Sequence, residues 1–432
     1  MGPIGGGVVR RAGAAMAVLL AAACAWTGCG SGAGSAATIT ETAASAPLSS
    51  GCATAALQAL AEVGRRVYGE SASGRIAAQA AYRLQSTPAL AEAVAADDAT
   101  ATRRVLDGLL LNQIVSVRVT RDGRPLAQVS LVPGARGIAP VSGTLRLAGR
   151  EVGAFTLSVQ GANGYAQTVS GLTATQVVVR DAGGVLRSTL TPAPSLRPGR
   201  RELRLQGVSY RVDTFAGEAF PDGSLSISLL VPETSIAAVC AHRSSSPSGA
   251  AQARADTWGL VAERVYDAEH AGSKAAKLRR YAEDSRAFRE AVLAGNTHAT
   301  RAAIIGFFRS HLHIVRVRVI REGRLLVDVG GPHVLGPIPG VIRNAQGRVV
   351  ARFLMGIQDD LGFTILARAF TGAQTVMRVG GSEVGGTLRP GPASIPARGR
   401  VTYGGRTYQA YSFYAEAFPA GALRISLLYP AG

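Results

Sequence analysis

A chain of 432 residues is long enough for two or three domains. Its 47% hydrophobic content excludes wholesale disorder. The formal charge of +18 is carried by arginine, with Lys274 and Lys277 the only lysines, and no compact basic run with interleaved aromatics accompanies it, which speaks against a nucleic-acid footprint.

Arg10 and Arg11 precede an apolar stretch from Ala12 to Ala23, of signal-peptide length and short for a membrane span. Trp26-Thr27-Gly28-Cys29 places small residues at the two positions before a cysteine, and Gly30 to Ser35 follows as a flexible tether. This layout predicts a bacterial lipoprotein signal over 1–29, with Cys29 lipidated, and a tether over 30–51. Cys24 is a second lipidation candidate, and ordinary secretory cleavage is the alternative. Arg10-Arg11 lacks the flanking pattern of a twin-arginine signal. No later apolar run reaches transmembrane length. The expected location is the outer face of the cytoplasmic membrane or the cell envelope, lipid-anchored, with no cytoplasmic output domain. Export turns the reading of the charge from nucleic acid to anionic lipid, cell-wall polymer or an anionic small ligand. Cys52 and Cys240 each lie near the start of a repeat, and in an oxidising compartment they either pair or remain two free thiols.

From about Cys52 the chain writes one pattern twice. Ile114-Val115-Ser116-Val117-Arg118-Val119 answers Ile314-Val315-Arg316-Val317-Arg318-Val319 at an offset of 200 residues. The offset then settles at 198, where Phe155, Gln160, Gly164 and Tyr165 answer Phe353, Gln358, Gly362 and Phe363. The closing segment Tyr210 to Pro232 answers Tyr408 to Pro430. A period near 198 is too long for a solenoid unit, so a whole domain is duplicated. The predicted domains are 52–232 and 251–432, joined by a linker over 233–250 that contains Ser244-Ser245-Ser246-Pro247-Ser248-Gly249.

Each copy opens with helices. Thr54 to Tyr68 and Ala250 to Tyr266 are alanine-rich with helical spacing. A second helix is predicted from Ser86-Thr87-Pro88, a hydroxyl cap before a proline at the first helical position, with its counterpart from Asp284-Ser285. A third begins after Asp98 and after Asn296. The remainder alternates, is rich in β-branched residues and is broken by glycine turns, which predicts five or six antiparallel strands per copy and an α+β class.

The order of helices, a Val-Arg-Val-x-Arg-x-Gly-Arg hairpin, a Phe-x-x-x-x-Gln-x-x-x-Gly-aromatic segment and a closing Glu-Ala-Phe-Pro-x-Gly-x-Leu-x-Ile-Ser strand resembles the Cache (PAS-like) extracytoplasmic sensor domains of bacteria. The resemblance spans nearly all of both repeats. It implies two tandem Cache-like domains, each an antiparallel sheet of five or six strands with a long helix behind it. It also implies a pocket on one sheet face for a small metabolite. Family members usually drive a kinase, a cyclase or a chemoreceptor from between two membrane helices; this chain shows no second membrane helix and no amino-acid recognition motif.

The chemistry-bearing residues point to binding. No zinc-protease helix, nucleophile elbow or phosphate-binding loop appears, so no enzyme, cofactor or metal is expected. His311 and His313 stand two apart at a predicted strand edge without a third ligand. Asp359-Asp360 reads as a polar turn, and Glu218 and Glu416 as lone structural carboxylates. Pocket candidates are polar or aromatic residues shared by the copies. Arg118 and Arg318 lie opposite the valine face of a strand and either hold a carboxylate or are solvated. Gln160 and Gln358, read as mid-sheet, either reach a ligand or satisfy backbone at a bulge. Tyr165, Tyr210, Phe363 and Tyr408 either stack on a ligand or fill the core. Three functions follow: a solute-sensing or solute-binding lipoprotein, an envelope interaction module, and a degenerate enzyme or metal binder, in that order. The implied partners are an anionic small ligand, the membrane through its anchor, and an envelope or membrane signalling protein.

Overall fold

The computed structural model describes residues 51–431 apart from 111–112, 135, 197–198, 242–245, 312 and 332–333. The expected signal, the lipidation candidates Cys24 and Cys29, the tether up to residue 50, and His242 and His333 lie outside the described residues.

The first copy starts with α1 (Gly51–Ser73), whose Ala53, Ala56, Leu60, Val63 and Val67 recur every three or four residues and are buried. Helices α2 (Arg75–Gln85), α3 (Pro88–Ala95) and α4 (Ala99–Leu110) follow. Pro88 opens α3, but Thr87 is not its side-chain cap: its hydroxyl donates back to the Arg83 carbonyl at 2.6 Å and closes α2 instead. Then come β1 (Ser116–Arg121), β2 (Arg124–Ser130), the short β3 (Gly137–Ile138), β4 (Val141–Leu147), β5 (Arg150–Ser158) and the short β6 (Gln160–Gly161). They lead into α5 (Ala162–Thr173), β7 (Gln176–Asp181), β8 (Gly184–Ser188), β9 (Glu202–Leu205), β10 (Val208–Glu218) and β11 (Ser224–Pro232). The antiparallel α+β class holds. The strands outnumber the expected five or six and divide between two sheets, ordered β2-β1-β5-β4 and β8-β7-β11-β10-β9, with a two-residue β3-β6 ladder besides. Helices α2 to α4 cover one face of the first sheet, burying Leu84, Leu90 and Leu106 against Val117, Val119, Phe155 and Leu157. α1 and α5 lie on the second.

The second copy repeats this with α7 (Pro247–Ala271), α8 (Ser273–Asp284), α9 (Arg286–Leu293) and α10 (Thr297–Ser310), after a short α6 (Glu233–Cys240) that occupies half of the expected linker. Asn296 caps α10 as its sequence position suggests, accepting from the Ala299 amide at 2.9 Å. The strands are β12 (Arg316–Arg321), β13 (Arg324–Gly330), β14 (Val334–Leu335), β15 (Ile338–Arg343), β16 (Val349–Gly356) and β17 (Gln358–Asp359). After α11 (Asp360–Thr371) come β18 (Gln374–Val379), β19 (Ser382–Gly386), β20 (Arg398–Tyr403), β21 (Arg406–Glu416) and β22 (Ala422–Pro430). The sheets are ordered β13-β12-β16-β15 and β19-β18-β22-β21-β20.

Helices α2 and α8, the short α6, and a helix between the two sheets of each copy, α5 and α11, were not foreseen. α5 buries Tyr165, Ala166, Val169 and Leu172, which is a helical spacing, but Gly164 and Gly171 weaken its propensity and hide it among strands. At its equivalent in the second copy, Asp359 accepts the Gly362 amide at 2.7 Å and thereby caps α11. Cys52 and Cys240 form a disulfide with a Cα–Cα distance of 5.9 Å.

Two compact units form, and their border does not fall at the linker between repeats. The smaller holds Asp267–Ile365 and Ala415–Leu423. The larger holds the described part of Leu20–Tyr266, with Leu366–Tyr414 and Arg424–Gly432. No described helix is long and apolar enough to cross a membrane.

Candidate functional site

In the smaller unit, alternation along β12 sends Val317 and Val319 into a core with Leu278, Phe288, Phe307, Phe353 and Met355. Arg316, Arg318 and Ile320 face the other way. The register continues that outer face across the sheet: Arg318 pairs with Leu354 and Leu354 with Pro339, while Ile320 pairs with Arg352 and Arg352 with Val341. α8 buries Ala275, Leu278 and Ala282 in the same core and brings Arg279 and Glu283 beside β15. A Glu283 carboxylate oxygen accepts the Val341 amide at 3.3 Å. These residues line an open pocket of about 400 Å³, with Ile320, Pro339, Val341 and Leu354 as apolar surface and three arginines around it.

The arginines are only partly used. Asp328 is held by Arg316 through two bonds of 2.9 and 2.8 Å, and Arg318 Nη1 approaches the same carboxylate at 3.5 Å. The Nε atoms of Arg318 and Arg279 are both buried without a hydrogen-bond partner among the described residues. Among the lining residues, the three guanidinium groups of Arg279, Arg318 and Arg352 stand against the one carboxylate of Glu283, which gives the pocket an excess of positive charge.

The first copy does not reproduce this. The residues equivalent to Arg279, Glu283 and Arg352 are Ala81, Gln85 and Ala154. Arg118 keeps the position of Arg318 but gives Nε to Gln128 at 2.8 Å and lies 3.7 Å from Asp222. A first-copy pocket of about 520 Å³ lies instead at Thr120 to Gly123 and Glu151 to Ala154. Its Arg121 is committed to the carbonyls of Val94 and Ala95 at 3.0 and 2.8 Å, closing the end of α3.

The remaining sequence-derived candidates sit elsewhere. Tyr165 is fully buried and donates its hydroxyl to the Gly64 carbonyl at 2.9 Å, and burial pushes its pKa up. Phe363 is equally buried. Tyr210 packs with Leu203, Val212 and Leu230, and Tyr408 with Ile395, Ala410 and Leu428. All four aromatics fill cores, because each lies on the side of its element that packs against a neighbouring layer. Gln160 and Gln358 are not mid-sheet: they pair with Ile138 and Leu335 in two-residue ladders just before α5 and α11. Both are buried, at 1% and 7% exposure, and the side-chain amide of Gln160 and the Gln358 Oε1 have no hydrogen-bond partner among the described residues.

His311 follows α10 and meets the Tyr281 ring edge-on at 4.0 Å, ahead of β12 rather than on a strand, so strand alternation does not pair it with His313. Burial first, then Lys274 and His311, pull the His313 pKa down to about 4. The described residues contain no cluster of three metal-ligating side chains.

Sequence reasoning found Arg318 through alternation and missed Arg279, Glu283 and Arg352. A position-by-position comparison of the two copies would have exposed them, since the first copy has Ala81, Gln85 and Ala154 there.

No family model matches the chain, and a search of curated proteins finds no match. Among solved structures, the periplasmic domain of Vibrio cholerae LuxQ matches at 10% identity and a TM-score of 0.26, over 42% of this chain and 98% of that one. The ligand-binding domain of the Pseudomonas fluorescens chemoreceptor CtaA, in complex with L-alanine, matches at 13% identity and a TM-score of 0.26, over 42% and 97%. That of the Campylobacter jejuni chemoreceptor Tlp3, in complex with L-norvaline, matches at 8% identity and a TM-score of 0.22, over 42% and 94%.

Proposed function

We propose that this chain is an extracytoplasmic small-molecule-binding protein, sensory or solute-binding, anchored by lipid at Cys29, whose second copy takes an anionic ligand between Arg279, Arg318 and Arg352. One observation carries the ligand class: two of the arginines that line this pocket have buried Nε–H donors without a hydrogen-bond partner among the described residues. A carboxylate or phosphate supplies the acceptors that they lack, and charge-assisted bonds of this kind are about twice as strong as neutral ones. The apolar surface of Ile320, Pro339 and Leu354 suits a short hydrocarbon portion. The Cys52–Cys240 disulfide supports export, since such bonds persist in oxidising compartments.

A thermal-shift screen of the chain from Gly30 onward against mono- and dicarboxylates, sugar phosphates and amines tests this reading. Carboxylates or phosphates should raise Tm, with about 2.7 kcal/mol of stabilisation at a hundredfold excess over Kd. Arg318→Ala and Arg352→Ala should each remove the shift, while Arg118→Ala keeps it. A flat screen would favour the second reading, an envelope interaction surface. Supporting that reading, the helix-facing side of β12 and β16 is filled by Phe288, Phe307 and Phe353, which leaves the open outer face as the accessible one.

A further inference from the structure

Two contacts in the larger unit fall at equivalent places once the offset of 198 residues is applied. Arg264, on α7, donates Nη1 to the Leu172 carbonyl at 3.1 Å, in the last turn of α5. Its equivalent in the first copy is Arg66, on α1. The Arg66 guanidinium lies against Gly372, where a β-carbon would stand 2.6 Å from Nη1. Gly372 follows α11 as Ala174 follows α5, and both adopt the left-handed conformation, at φ of 77° and 52°. Both amides also close the helix in the same way, onto the carbonyls of Arg368 and of Ser170, each at 2.8 Å. Arg264 thus binds the carbonyl end of the other copy's helix, and Arg66, whose Nε and Nη2 go to Glu62 on its own helix, stands against the equivalent end, where unpaired acceptors and the negative pole of the helix dipole attract a cation.

Contacts in which patch i meets j while the equivalent of j meets the equivalent of i are the mark of a two-fold interface. Residues near the axis of such an interface lie close to their own equivalents, as they do here. Trp258, on α7, donates Nε1 to the Ala59 carbonyl on α1 at 3.2 Å, and the equivalent of Trp258 is Leu60, next to Ala59. Arg254 Nη2 reaches Gln58 at 3.3 Å, and the guanidinium groups of Arg66 and Arg254 each stand 5.9 Å from the Trp258 ring.

We infer that the two copies are paired inside one chain as two subunits are paired in a homodimer, through α1 and α7 with Arg66 and Arg264 as reciprocal anchors, so that each copy's pairing face is occupied by its sibling and the chain is monomeric. None of the pairing residues lines the arginine pocket, and the pairing holds whether or not that pocket takes a ligand. The disulfide is consistent with it: Cys52 in α1 is joined to Cys240 in α6, the segment that leads into α7.

The test combines light scattering with the emission of Trp258, which is the sole tryptophan after Trp26 and therefore a reporter placed at the interface. The chain from Gly30 onward should show the mass of one chain at all micromolar concentrations. Arg66→Glu and Arg264→Glu should each red-shift Trp258 emission and speed hydrogen exchange at 172–174 and 370–372, whereas Arg66→Lys and Arg264→Lys should leave the emission near that of the unmodified chain. If a glutamate variant fails to fold, the mass of the unmodified chain and the lysine variants still decide. A two-chain mass overturns the inference, as do glutamate variants that fold with unchanged emission and exchange.

Discussion

Arg65 and Asp213 form an ion pair of 2.6 Å in the first copy; at the equivalent positions the second copy has Glu263 and Tyr411, whose hydroxyl donates to the glutamate at 2.7 Å. Glutamate facing Asp213 would repel it, whereas Tyr411 offers Glu263 a neutral donor. Burial pushes the Tyr411 pKa up, and the Glu263 hydrogen bond adds to this, so the proton stays on the phenol at every physiological pH. Replacing the acceptor charge with Glu263→Gln should cost about 1 kcal/mol in a denaturant melt, the difference between a charged and a neutral hydrogen bond. A second titratable residue gives a pH signature. The folded pKa of His313, about 4, lies below its ordinary 6.5. Between those values the unfolded chain binds the proton and the folded chain does not. Stability is thus full above pH 6.5 and falls as the pH drops toward 4. His313→Gln should flatten that part of a calorimetric Tm–pH curve, and an unchanged slope would assign it to carboxylates.

Paired elements show why some features were legible. In both four-stranded sheets a phenylalanine ring lies over a glycine of the neighbouring strand. Phe155 pairs with Gly143 and Phe353 with Gly340, where a β-carbon would fall 2.5 and 2.1 Å from the ring. Gly340→Ala must push Phe353 off its place in a packed core and should lower stability by about 1–3 kcal/mol, measurable as a shift in urea midpoint. At the α11 terminus, Asp359→Ala removes the cap on Gly362 and should cost about 1 kcal/mol by the same measurement. Helices with local punctuation could be read in advance: Pro88 opened α3 and Asn296 opened α10. α5 could not, because its helicity rests on burial of Tyr165 and Val169 against other elements and not on its glycine-bearing sequence. The pocket divides likewise. Arg318 was visible because strand alternation is a local property. Arg279 and Arg352 come from a helix and a different strand, and only tertiary packing brings them beside it.

For the molecule as a whole, the disulfide bridges residues 188 apart in sequence, and a crosslink of that span acts chiefly on the unfolded chain. Cys52→Ser with Cys240→Ser should therefore lower unfolding free energy by about 2–5 kcal/mol while leaving the folded-state circular dichroism unchanged. The sheet orders carry a consequence for biosynthesis. In β2-β1-β5-β4, β8-β7-β11-β10-β9, β13-β12-β16-β15 and β19-β18-β22-β21-β20, the strand that joins the first hairpin to the rest is always the one translated last. A nascent chain can form β18 with β19 and β20 with β21, but these remain two separate ribbons until β22 emerges. Each sheet thus closes in a single late event that requires long-range pairing, the slow kind. A released chain cut short before Ala422 would hold two unjoined hairpins, with the apolar flanks meant for Ile425, Leu427 and Leu428 open to chaperones and proteases.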